Sequence, residues 1–182
     1  MACLITSGRK IPCKSTVGGV SKLFFADFGT LGDATIVAGE ITAFSGTPDW
    51  FQFDIKNSAT TLETAITSDR NNGTTFYDTT VSMTLTFQDK ATQEQLKLLA
   101  VARPHICVET YDGNYFLVGL LNGADLNGGS IQSGGAMSDL TGYSAITFNA
   151  QEVNPPFFVT PAVITADIAG GASTPTQIDP TA

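Results

Sequence analysis

The sequence predicts a mainly β fold: a barrel or sandwich of two packed antiparallel sheets, with one flanking α-helix and a long protruding hairpin. Three observations predict it. Charged residues make up only 14% of the chain against 42% hydrophobic, with Thr, Ser, Asn and Gly abundant, a balance suited to pleated, half-buried surfaces. Segment after segment alternates apolar and polar residues, the period-two signature of a strand with one covered face. Helical spacing is confined to one stretch, residues 89–104.

At 182 residues the chain forms one domain, expected to bury roughly 70% of the surface its unfolded form exposes. Cys3, Cys13 and Cys107 are odd in number and lack metal-ligand spacing, which argues against a disulfide framework and fits a reducing cytoplasm. No apolar run approaches the ~18 residues of a membrane span, and "MACLITSGRK" lacks the pattern of a signal peptide. The protein is expected to stay where it is made, without membrane insertion.

Residues 1–19 are rich in Gly, Pro and Ser and read as an irregular arm. "SKLFFADF" is apolar on both faces, as expected of a strand covered on both sides. "TIVAGEITAF" and "WFQFDIK" continue the β pattern, the latter placing Phe51, Phe53 and Ile55 inward. Residues 59–87 read as two long strands joined at Asn71-Asn72-Gly73, long enough for the hairpin to project and pair with another chain.

Its second strand, "TTVSMTLTF" (79–87), sets Val81, Met83, Leu85 and Phe87 on one face and Thr80, Ser82, Thr84 and Thr86 on the other. The polar side holds small hydroxyls and no charge, an unusual composition for a wall facing bulk water. A helix is predicted over about 90–103, capped by Asp89, stopped by Pro104 and carrying Ala91, Leu98, Leu99 and Ala102 as its apolar stripe. "HICVETYDGNYFLVGLL" predicts a hairpin with a two-residue type I′ turn at Asp112-Gly113. "ADLNGGSIQSGGAMSDLTG" reads as strand and loop. "YSAITFNAQEV" closes the β domain at 153, with Ile146, Phe148 and Ala150 opposite Thr147, Asn149 and Gln151. From 154 to 182 periodicity is lost, and an extended tail is expected, anchored by Phe157 and Phe158.

Catalytic patterns are weak. His105, the only histidine, has no nucleophile or carboxylate at a catalytic spacing. The glycine pairs at 128–129 and 134–135 lack the Lys-Ser/Thr of a phosphate-binding loop. No pair among the acids is singled out for glycosidase chemistry. The reading is a non-enzyme without metal or other cofactor.

Charge is unevenly spread. Residues 1–26 hold Arg9, Lys10, Lys14 and Lys22 and no acid, a charge of +4; the remainder holds five cations and all 17 acids, a charge of −12. A basic arm on an acidic body favours docking of one copy on another.

Several segments taken together, "ITSGRKIPCKSTVGGV", "RNNGTTFYD", "DKATQEQLKLLAVARP", "VETYDGNYFLVGLLNGADLNGG" and "SAITFNAQE", resemble the tail tube proteins of tailed bacteriophages, a family that extends to the type VI secretion tube. The resemblance covers roughly residues 4–153 by order of elements. It implies hexameric rings stacked into a hollow tube, a virion structure assembled in the host cytoplasm, through which DNA passes. It further implies contact with sheath, baseplate or terminator proteins. Candidate lumen or seam residues are Glu63, Thr67, Asp69, Thr80, Ser82, Thr84, Thr86, Thr147 and Asn149; candidates for subunit or ring contacts are Arg9, Lys10, Lys14, Asn72, Gly73, Tyr77, Phe157 and Phe158. The alternatives are another tail ring, a terminator or capsid decoration protein, or a carbohydrate- or receptor-binding β-sandwich displaying Trp50 and Phe51.

Overall fold

The structure, a computed structural model, describes residues 7–9, 17–55 and 59–168. It is mainly β, with two sheets facing each other and two helices. The larger sheet has the order β2(Ala34–Val37), β3(Glu40–Phe44), β11(Phe157–Val159), β8(Tyr115–Val118), β7(His105–Thr110), β1(Val20–Ala26), β4(Phe51–Asp54). The smaller has the order β5(Thr61–Asp69), β6(Thr74–Thr86), β10(Thr141–Glu152), β9(Asp125–Ile131), antiparallel throughout. Among the described residues neither sheet closes into a barrel.

Strand β1 shows why the larger sheet has two cores. Leu23 and Phe25 point to the smaller sheet and pack with Val81, Met83, Ile106 and Phe148. Phe24 and Ala26 point the other way, to Ile41, Trp50, Leu117 and Ile164. The continuous apolar run is therefore a strand buried on both faces, as its sequence predicts. Phe25 joins the sheets through a tilted contact with Phe148 (5.3 Å) and meets Phe53 of its own sheet edge-on (5.0 Å), each adding about 0.5–1.5 kcal/mol beyond area burial. In "WFQFDIK", Phe53 and Ile55 pack against this core, whereas Phe51 is exposed, contrary to the inward placement; Lys56 lies outside the described residues.

The first helix, α1(Lys90–Val101), begins where Asp89 caps it: its Oδ2 accepts the Thr92 N–H at 2.8 Å. It ends two residues short of 103, because Pro104 disfavours the α conformation in Arg103 and Ala102 is already extended. Its inward face also differs from expectation. Leu96 is buried and Leu99 half-buried, while Leu98 and Val101 are exposed at 62% and 86%. Positions 92, 96, 99 share one face, and Leu98 lies two residues from Leu96, on the far side of the cylinder.

Three further expectations are corrected. Phe87 leaves the strand with φ 64° and is partly exposed instead of completing the apolar face. At Asp112-Gly113 only the glycine has positive φ (82°), and Thr110 N–H bonds to Asn114 O, giving a three-residue loop. The two-residue turn with both φ positive is Ala38-Gly39, at 53° and 88°, between β2 and β3. Finally, the segment after 154 is built into the fold. Strand β11 lies between β3 and β8, and α2(Pro161–Ala166) follows with Pro at its first turn. Ile164 is fully buried, and Ile168 bridges to Trp50. A three-residue strand is too short for period two to declare itself. Residues 169–182 and most of the arm expected at 1–19 lie outside the described residues.

Candidate functional site

The register of the smaller sheet aligns its polar residues in rows. Glu63, Thr80, Asn149 and Asp125 form one row; Thr61, Ser82, Thr147 and Gly128 form the next; Ala65, Asp78 and Gln151 form a third. Residues directly opposite in antiparallel strands share a face, so Glu63, Thr80, Ser82, Thr147 and Asn149 come together as expected from alternation. Thr67 lies on the same side near the hairpin tip, and Thr86 at the opposite end, opposite Thr141.

Side chains knit this face together. Asn149 Nδ2 donates to Asp78 Oδ1 at 2.5 Å and to Thr80 Oγ1 at 3.4 Å, while Gln151 Nε2 reaches Asp78 Oδ2 at 3.4 Å. Asp78 is not among the residues that the resemblance marks for this face, yet its parity with Thr80 and Ser82 places it there. Strands β5, β6, β9 and β10 contain five carboxylates (Glu63, Asp69, Asp78, Asp125, Glu152) and no lysine, arginine or histidine. The strands therefore bring no cation to this face, and the cation that reaches its edge, Arg103, is paired there with Asp125 (Nε–Oδ1 3.4 Å).

Thr84 does not belong to the open face. A bulge in β10 between Tyr143 and Ile146, with Ala145 at φ 50°, folds over it, and the Ala145 N–H donates to Thr84 Oγ1 at 3.4 Å. Asp69 and Asn72 are engaged in the turn: Asp69 accepts the backbone N–H groups of Asn71 (2.8 Å) and Asn72 (3.4 Å) and the Asn72 amide (2.6 Å). Gly73 completes that turn with φ 65°. Tyr77 sits half-buried on the core-facing side, opposite Ile66 and Glu152.

The hairpin outreaches its sheet. Pairing of β6 with β10 ends at Tyr77, so residues 74–76 pair with β5 alone, and Ile66 is 67% exposed. Among the described residues, both outer strands, β5 and β9, have one unpaired edge, and neither carries Lys or Pro to block it.

The remaining candidates are dispersed. Arg9 is exposed, and Lys10 and Lys14 lie outside the described residues. Phe157 packs against the second core, whereas Phe158 is 48% exposed and meets Phe116 at 4.7 Å. Trp50 is fully buried, so it offers no platform for a sugar ring, and Phe51 is 39% exposed.

His105 and Cys107 are committed to the scaffold. His105 Nδ1 lies 2.6 Å from Gly119 O and its Nε2 accepts the Gly29 N–H at 3.1 Å, which defines a neutral ring with the proton on Nδ1. Burial holds its pKa below the ordinary value, against the Gly119 carbonyl and the Glu152 carboxylate, which act upward. Cys107 is fully buried, and burial with the nearby Glu109 pushes its thiol far up, leaving it protonated and inert. Glu152 Oε1 accepts from Leu121 N (2.8 Å) and Asn122 N (3.0 Å), pinning the turn after β8. Among the described residues no group of three or more His, Cys, Asp or Glu side chains is placed to hold a metal ion, and no helix is long and apolar enough to cross a membrane.

No family model matches the chain, and no curated protein or solved structure matches it either.

Proposed function

We propose that this chain is a structural protein of a bacteriophage tail, forming hexameric rings that stack into the tube through which the genome leaves the virion. One observation carries the reading: a four-stranded antiparallel sheet with, among the described residues, two free edges and strands that contribute no cation to its polar face. With four strands, β5 and β9 run in opposite directions. Rotation about a ring axis preserves direction, so β5 of one copy meets β9 of the next as an antiparallel pair, and ring closure leaves no free edge in this sheet.

The resemblance implies six copies. At a strand spacing of ~4.8 Å and a tilt of ~40°, a closed barrel of about 24 strands measures roughly 48 Å across at its backbone. Three copies would give about half that, which inward side chains would nearly fill. The polar rows then line the lumen. Hydroxyls, amides and carboxylates release no counterions from DNA, so phosphates slide past instead of binding.

The basic arm with Arg9, Lys10 and Lys14 docks on the acidic body of an adjacent ring in this account, and sheath, baseplate and terminator proteins meet the tube's outside and ends. Sedimentation and negative-stain microscopy of the purified protein test the reading. Rings or tubes are expected; a monomer at every concentration refutes it. A terminator, a baseplate ring or a capsid decoration protein would share the edges, and the number of copies per particle separates these roles.

A further inference from the structure

Between α1 and β9 runs a groove of about 850 Å³, lined by Leu96, Ala100, Leu126, Gly129, Ile131 and Ile146. Its depth comes from Gly129, where a side chain would collide with Ile146. Lys90 and Lys97 stand at its rim, and among the described residues neither forms an ion pair within the chain. On the other side of the sheet, Ile66 of β5 is 67% exposed although it points to the core-facing layer, level with Tyr77.

We propose that this groove is the socket for Ile66 of a neighbouring copy and that the contact sets the register of the β5–β9 seam. The inference rests on the ring reading above and adds its register. Without stagger, Leu62 of one copy stands level with Leu126 of the next, through the rows Leu62-Val81 and Phe148-Leu126. A closed barrel must stagger. Four strands spaced ~4.8 Å apart and tilted by about 35–45° shift the seam by roughly 13–19 Å, or about four to six residues.

Only an even shift keeps Ile66 in the core-facing layer, because a one-residue slip reverses every side chain. A shift of about four residues towards the α1 start brings Ile66 level with Leu126; about six brings it level with Ile146 beside Gly129. Both positions lie in the groove. The opposite shift carries Ile66 past Asp125 into solvent, so apolar burial selects the first direction.

The test uses full-length protein with Cys3 and Cys13 changed to Ser, combining Ile66→Cys with Leu126→Cys in one variant and with Ile131→Cys in another. A short bis-maleimide should give a ladder of covalent multimers ending at the ring size in at least one variant. Ile66→Glu, at an exposed position, should keep the monomer's circular dichroism while raising the concentration for half-assembly by roughly tenfold or more. If the Cys variants assemble and neither yields a ladder, or if Ile66→Glu assembles like the parent, the socket is refuted while the ring stands. If the parent never assembles, both fall.

Discussion

Protonating His105 should loosen one end of the larger sheet. The ring is held as a neutral species between two backbone groups, with Nδ1–H on Gly119 O and a bare Nε2 on the Gly29 N–H. Acid would place a second N–H against that of Gly29, beneath Phe28, whose ring lies 5.2 Å away with the Arg103 guanidinium 5.4 Å from it. Arg103 opposes the new charge and Glu152 favours it, but burial is the largest influence and lowers the pKa below 6.5. A depressed histidine pKa means the unfolded chain binds the proton more readily. Stability is therefore complete above about pH 6.5 and falls as the pH drops towards the folded value, by at most about 1.4 kcal/mol per pH unit.

Urea unfolding from pH 8 to pH 5 measures this slope, and the assignment is clean because the chain has no other histidine. In His105→Gln the slope between pH 6.5 and 5.5 should vanish, with a pH-independent loss of about 1–3 kcal/mol from the backbone groups left unpaired. A flat wild-type profile across that window, or an unchanged slope in the variant, would refute the reasoning.

Removing the helix cap with Asp89→Ala should cost about 0.5–2 kcal/mol in urea unfolding, since the Thr92 N–H loses its acceptor. Truncating Phe25→Ala, which removes the ring joining the two sheets, should destabilise by about 3–5 kcal/mol in the same assay. Ala38→Asn should raise the unfolding free energy by up to about 1 kcal/mol in the same assay, because asparagine accepts the φ of 53° that alanine holds under strain. Thr80→Lys with Ser82→Lys, on the open polar face, should leave assembly intact yet make DNA retention salt-dependent, measured by filter binding at rising salt; no retention at low salt would argue against a lumen-facing position.

What was legible in the sequence follows from which interactions are local. The alternation in 79–86 and 146–151 placed Val81, Met83, Ile146 and Phe148 inward correctly, because period two reports the face directly. The Asp89 cap was equally readable, since its acceptor and donor lie three residues apart. Thr84 was misplaced because the bulge that covers it lies in another strand, 61 residues on. The stretch 157–168 was read as a tail because its order comes from β3, β8 and Trp50, contacts that no local pattern records. The helix stripe failed more simply, since an apolar count around 98–102 outweighed the positions that share a face with Leu96.

The central claim is that copies join through β5 and β9 so that the polar face of the smaller sheet surrounds a lumen. A cryo-electron microscopy map of the assembled protein tests it most directly. The account predicts a ring in which β5 of each copy pairs with β9 of the next and Thr80, Ser82 and Asn149 face inward. A ring joined through β2 or β4 of the larger sheet, with the polar rows facing outward, would contradict it.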